Sequence, residues 1–206
     1  MERRSVYLDD DHYRRRVHLI QQRIGARALD GLLILNPANL MWACGFFHIP
    51  NERPLGLYIP SHGRPMLLAA HLEKENAEEN WVGDVRCYRE YPGEIPAEVW
   101  MLQQIPAQKL GVDGSSHAIF LLMQALRPDL RLDDTVSTLR YRKAPVEIEL
   151  TRIAAEYADF GLSVARQAVA DGVRSGITEL DVVQIVQTET TAKMKRELED
   201  LINFYR

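Results

Sequence analysis

The spacing of apolar residues along this chain changes period several times and then stays constant. Tyr13, Val17, Ile20 and Ile24 recur at intervals of three and four, the signature of one helix face. Asp9, Asp10 and Asp11 stand just before them, where carboxylates cap free N–H groups and suit the helix dipole. Residues 32–35 are a continuous apolar run closed by Asn36-Pro37, as in a strand buried on both faces. Residues 55–59 and 65–70 flank the turn Pro60-Ser61-His62-Gly63 and predict a hairpin. A short charged helix is expected over 72–81, and a half-exposed strand over 85–90, where apolar and polar residues alternate. A loop at 91–96 leads to a helix over 97–105, a buried strand over 109–113, a helix over 118–126 stopped before Pro128, and a last short strand over 130–133. Strands interleaved with helices predict an α/β domain with a mixed sheet of about five or six strands flanked by helices.

From Pro145 onward only the helical period remains. Proline is tolerated in a first helical turn, where its missing N–H has no partner to lose. Val146, Leu150, Ile153, Tyr157, Gly161, Val164 and Ala168 form one stripe, widened by Ala154, Ala158 and Ala165. Gly161 is expected to let a neighbour approach closely. The helix is expected to end near 171–172, and Thr178 with Asp181 three positions later marks a second start. That helix is expected over 178–204, through Leu180, Val183, Val186, Met194 and Leu198. The domain division is placed at 1–138 and 139–206. Burying such apolar side chains is worth roughly 1.5–3 kcal/mol each, and large exposed apolar patches rarely persist. The two helices are therefore expected to pair with each other, with the preceding domain, or with a second copy.

Charge and composition narrow the function classes. A net charge of −4 argues against a nucleic-acid partner, which demands a concentrated positive surface. Cys44 and Cys87 are expected to be reduced, largely buried thiols. No apolar run is long enough to span a bilayer, and the start of the chain lacks the pattern of a signal peptide. A soluble, cytoplasmic protein without a membrane partner is expected.

The residues taken alone form no catalytic constellation. There is no phosphate-binding glycine loop. His12, His18, His48, His62, His71 and His117 include no pair at metal-binding helical spacing. Ser115-Ser116-His117 lacks a nucleophile elbow, and Ser115 or Ser116 is expected to cap the following helix. The Arg14–Arg16 run is expected to be a solvated face. Trp42, Phe46 and Phe47 lie beside Gly45 and ahead of the polar loop Asn51-Glu52-Arg53-Pro54. Two readings stay open there: core packing, or aromatics lining a cleft mouth with Arg53 contacting an anion or carboxylate.

Arg140, Lys143, Pro145, Glu147, Ile148, Arg152 and Ala154 resemble the junction of the pita-bread metalloenzyme superfamily of prolidase, aminopeptidase P and creatinase, with Ala144 in place of the usual serine. Gly176-Ile177-Thr178-Glu179 resembles the step between the first two helices of that superfamily's catalytic domain. Asn39-Leu40-Met41-Trp42-Ala43-Cys44-Gly45-Phe46 is similar to the Asn-x-x-Tyr-Leu-Thr-Gly-Phe element of its N-terminal domain. The resemblance implies a creatinase/prolidase-type N-terminal domain followed by two long helices from an incomplete pita-bread α+β domain. It implies a homodimeric hydrolase in which the N-terminal domain walls off the partner's active site, with Trp42, Phe46, Phe47 and Arg53 offered to the partner's substrate. That substrate would be a peptide in the Xaa-Pro peptidases. It would be a small amide or guanidino compound if the parent is a creatinase-like amidinohydrolase or lyase. It also implies two divalent ions (Mn, Co or Zn) bound further along than this chain reaches, unless the parent is creatinase-like. The chain ends before the superfamily's metal ligands and catalytic histidine, so it is expected to be inactive alone, with no metal or catalytic residue of its own. The competing expectation is a non-catalytic interaction module acting through the helices after Pro145.

Overall fold

A computed structural model describes residues 8–90 and 95–198. The N-terminal stretch before Leu8, most of the loop expected at 91–96, and the helical continuation expected beyond 198 lie outside the described residues. The chain divides into two compact units, Leu8–Arg142 and the stretch from Lys143 onward.

The first unit is built on a six-stranded sheet of order β4-β3-β2-β1-β5-β6. The strands are β1 Gly31–Ile34, β2 Gly56–Pro60, β3 Met66–Ala70, β4 Val85–Tyr88, β5 Leu110–Asp113 and β6 Arg131–Leu132. β1 pairs antiparallel with β2 and β2 with β3, while β1–β5, β3–β4 and β5–β6 are parallel, so the sheet is mixed as expected. The predicted hairpin is β2–β3, with Leu57 opposite Leu67.

Period-two alternation sends successive residues to opposite faces. Leu32 and Ile34 join a core with Val17, Ile20, Ile24 and Leu40, from α1 Asp10–Ala26 and α2 Pro37–Cys44. Leu33 and Leu35 join the other core with Leu68, Val99, Met101 and Met123. The second face is covered by α4 Ala97–Gln104 and α5 His117–Leu126. The short α3 Lys74–Glu78 follows a 3-10 turn over His71–Glu73, and α6 Thr135–Arg140 closes the unit.

Local chemistry sets the helix ends. The Asp9 carboxylate accepts from the His12 N–H at 2.7 Å, and the Ser116 hydroxyl accepts from the Ile119 N–H, both as the sequence suggested. α2 ends at Gly45 with φ of 76°, a left-handed conformation that glycine adopts without penalty. An added Cβ there would lie 2.6 Å from the Tyr13 ring.

One expectation is overturned. Arg16 does not belong to a solvated face; it is buried, 7% exposed. Its Nη1 donates to the Trp42 carbonyl at 2.6 Å, and its guanidinium lies 4.5 Å from the Trp42 ring centre. Hydrogen bonding and a cation–π contact replace the water that a buried charge gives up.

The second unit contains α7 Pro145–Gly172 and α8 Glu179–Glu197. The Glu147 carboxylate accepts from the Ala144 N–H at 2.7 Å at the start of α7. Thr178 and Asp181 cap α8 reciprocally. The helices pair with each other. The Tyr157 hydroxyl donates to Glu197 at 3.2 Å, and Lys193 lies 5.2 Å from the Phe160 ring centre. A Cβ added at Gly161 would meet Thr190 Oγ1 at 3.4 Å and Val186 Cγ1 at 3.5 Å, so the glycine faces α8 with room for a methyl group.

Candidate substrate-contact loop and groove

The four residues singled out around Gly45 have different fates. Trp42, on α2, is half-buried beneath the Arg16 guanidinium and serves to hold α1 against α2. Phe46 is 4% exposed and packs in the core with Leu55 and Leu57. Phe47 is half exposed and is followed by Ile49 at 67%. Backbone alternation after the left-handed turn at Gly45 thus sends one phenylalanine inward and the next outward.

Arg53 stands further along the same loop. Its Nη1 lies 2.9 Å from Glu52 and its Nε 3.5 Å from Glu90. It lines an open groove of about 480 Å³ together with His71, Leu72, Arg89 and Glu90. The Tyr88 hydroxyl donates to the Pro54 carbonyl at 3.0 Å and ties the loop's end to β4. Burial pushes that phenol well above its ordinary range, so it remains a donor throughout the neutral range. Beside the loop's start, His48 Nδ1 lies 3.8 Å from Glu73, with the His48 side chain 9% exposed.

Distant motifs also meet at the ends of β1 and β5. The Asp113 carboxylate accepts from the backbone N–H groups of Leu35 and Asn36 at 2.7 and 3.1 Å. The Asn39 side-chain amide donates to Asp113 at 2.7 Å and to the Ser137 hydroxyl at 3.0 Å. Arg140 Nη1 donates to the Asn39 side-chain oxygen at 2.7 Å. Burial raises the Asp113 carboxyl above its ordinary value, with the bonds from Asn39, Asn36 and Leu35 opposing that rise. Asn39 opens the Gly-Phe element and Arg140 opens the junction signature. The two motifs are thus halves of one buried hydrogen-bond network, and this pair performs a structural task.

Both cysteines are free, and burial pushes the Cys44 thiol up to about 12. That makes it a poor nucleophile at neutral pH. Among the described residues no group of three or more His, Cys, Asp or Glu side chains could hold a metal ion. These residues therefore do not fit the two-ion centre that the resemblance implies. Among the described residues no helix is long and apolar enough to cross a membrane.

A mixed sheet with an internal hairpin, a Gly-Phe element and a junction arginine bound to its first asparagine defines a creatinase/prolidase-type domain. The family model described as Creatinase/Prolidase N-terminal domain matches residues 16–141, and the chain belongs to that family. It is 27% identical over 180 residues to an uncharacterized peptidase of Staphylococcus saprophyticus, covering 84% of this chain and 49% of the relative. It is 27% identical over 177 residues to an Xaa-Pro dipeptidase of Lactobacillus delbrueckii subsp. lactis, covering 82% and 47% respectively. The structure of a recombinant prolidase from Thermococcus sibiricus superposes with a TM-score of 0.65 at 24% identity, covering 78% of this chain and 45% of that one, a likeness of fold. The chain spans about half the length of the curated relatives it matches.

The groove-lining residues that sequence reasoning did not single out are His71, Leu72, Arg89 and Glu90. They come from two segments on either side of α3, and no spacing rule connects them with Arg53.

Proposed function

We propose that residues 8–142 are the substrate-side N-terminal domain of a cytoplasmic, homodimeric Xaa-Pro peptidase-type hydrolase, and that α7 and α8 are the opening helices of its catalytic domain. In this reading the domain closes over the active site of a second copy. The loop after Gly45 presents Phe47 to an apolar part of a peptide substrate and Arg53 to its carboxylate. Trp42 and Phe46 hold that loop from beneath. The two divalent ions implied by the resemblance would be bound by residues other than those described here. They would supply an activated water and polarise the scissile carbonyl. This chain's own residues would bind, orient and limit the length of the substrate.

The observation that carries the reading is the family match over 16–141. The outward Phe47, and Arg53 in its groove, support the assignment of roles. The test is a chimera in which this chain replaces the matching part of the Lactobacillus delbrueckii relative. The expected result is a folded dimer that releases proline from Xaa-Pro dipeptides, with activity falling at least about tenfold in Phe47→Ala/Arg53→Ala, the scale of losing one positioned charged contact. A folded dimeric chimera whose proline release ignores both residues overturns it. The 206-residue chain alone is expected to release none.

A further inference from the structure

The helices on the two sides of the sheet present different outer faces. α1 turns Asp11, Arg14, Arg15 and Arg23 to solvent. α5, His117–Leu126, contains no aspartate, glutamate, lysine or arginine. Its inner face is apolar: Met123 is buried, and Ile119 and Phe120 pack against the same core. Its outer face is apolar as well. Ala118, Leu121, Leu122, Ala125 and Leu126 fall on one stripe, and all five are exposed. The three leucines keep 49%, 42% and 59% of their surface in contact with solvent. A helix that is apolar all round is ordinarily covered all round, and an uncharged stripe of this kind marks an interaction surface.

The order of residues on the stripe points to what covers it. Ala118, Leu121, Leu122 and Ala125 read the same in both directions about a centre between the two leucines. An antiparallel copy of the helix therefore places alanine against alanine and leucine against leucine, the self-complementarity that a two-fold contact demands. Alanine at both ends lets the helix axes approach to about 8 Å, with the leucines filling the middle. A membrane surface would call for lysine or arginine beside the stripe, and α5 has neither. Arg127, just beyond it, donates to the carbonyls of Ala107, Leu102 and Ile105 at 2.6, 3.3 and 2.7 Å. Those bonds fix the end of α5 to the end of α4 and the turn that follows, while the Ser116 hydroxyl caps its start. The helix is thus held in place before any partner arrives, which lowers the cost of association.

We infer that α5 docks against α5 of a second copy of this chain, antiparallel about a two-fold axis, with Leu121 on Leu122 of the second copy and Ala118 on its Ala125. The contact joins one sheet domain to another. It stands on the chemistry of α5 and does not depend on the function proposed above.

The first test is sedimentation of the full chain over a dilution series reaching about 100 μM, well above a micromolar dissociation constant. A dimer is expected. Leu121→Glu/Leu122→Glu should raise its dissociation constant at least about a hundredfold, because like charges would be buried against each other. Leu162→Glu/Leu180→Glu, exposed changes on α7 and α8, should leave it unaltered. A chain that stays monomeric throughout, a dimer indifferent to the glutamates on α5, or one broken only by those on α7 and α8 overturns the inference. The second test reads the register and holds even if the glutamate variant fails to fold. Ala118→Cys and Ala125→Cys chains, mixed and oxidised, should cross-link at least about fivefold more than either chain alone, with the unaltered chain as background. Two copies of one position would stand about 10 Å apart along the axis, beyond a disulfide's reach. Equal cross-linking of the mixture and the single variants overturns the antiparallel contact. An inactive chimera with the cross-link intact would remove the peptidase reading and keep this contact; an active chimera whose parent chain does not cross-link would do the reverse.

Discussion

The two units of this chain solve the problem of burial differently. In Leu8–Arg142 the sheet has helices on both faces, and β1 and β3 are buried at every position. In the helical unit, α7 buries only Ile153, Tyr157 and Gly161, and α8 buries no residue fully. Leu162 and Leu180 remain 69% and 80% exposed. Folding stability scales with apolar surface removed from water. Sequence changes in the first unit therefore act through packing, whereas those in the second act mainly through helix propensity and capping.

The largest contrast is a core leucine against a surface one. Leu67→Ala, at a fully buried position of β3, should lower stability by about 2–5 kcal/mol. Leu180→Ala on α8 should stay within about 0.5 kcal/mol. Denaturant unfolding of both variants decides the matter, and equal losses would break the comparison.

Two glycines sharpen it. Gly114 and Gly176 both adopt left-handed backbone, with φ of 68° and 78°. A Cβ at Gly114 would lie 2.4 Å from the backbone nitrogen of Asn36, whereas Gly176 faces open space. Gly176→Ala should cost about 1–2 kcal/mol from conformation alone. Gly114→Ala should cost more by at least about 1 kcal/mol, the scale of forced overpacking. Thermal unfolding that ranks them the other way would show the first unit to be the more yielding.

One pH dependence should come from the first unit's buried carboxylate. Burial holds Asp113 above its ordinary value, so the folded chain binds that proton more tightly than the unfolded one. Its stabilising contribution is complete below the ordinary carboxylate value near about 3.9 and is lost as pH rises through the raised folded value. The stability of the unaltered chain relative to Asp113→Asn should therefore improve as pH falls through that window. A flat or opposite trend in paired unfolding curves would show that the bonds from Leu35, Asn36 and Asn39 outweigh burial.

The last expected effect is a gain. Gly161→Ala in α7 should stabilise the helical unit by about 0.5–1 kcal/mol, because alanine suits a helix interior better and its methyl group meets α8 at contact distance. A loss in the same unfolding assay would show that the helices tolerate no added volume.

What was legible in the sequence follows from period and punctuation. The strands are short apolar or alternating segments bounded by turn residues, so all six were placed within a residue or two. α2 and α6 were not anticipated. In α2 the aromatic-rich Gly-Phe element masks the helical period, and α6 is six residues long with Thr135, Val136 and Thr138 in its first turn. Arg16 was misplaced because three consecutive arginines look alike, and nothing in the sequence shows which of them will be buried beside Trp42. Phe46 and Phe47 left two readings open, and the structure divides the pair, one inward and one outward. The groove around Arg89 was invisible because its lining converges from separate segments, and convergence is a property of the sheet. The family landmarks were visible as landmarks, but nothing in one dimension showed that Asn39 and Arg140 touch.

That contact has a consequence for how the protein is made. The bond between Asn39 and Arg140 closes a stretch of 101 positions, and β1 must wait for β5 before its second edge is paired. Contacts this distant in sequence are slow to form, because loop-closure entropy must be met first. A ribosome emits α1, β1 and α2 early, yet the Asn39 amide cannot be satisfied until residue 140 has left the exit tunnel. The junction arginine is therefore the latch of synthesis. The first unit becomes complete just as α7 begins to emerge, so the order of translation itself separates the folding of the two halves.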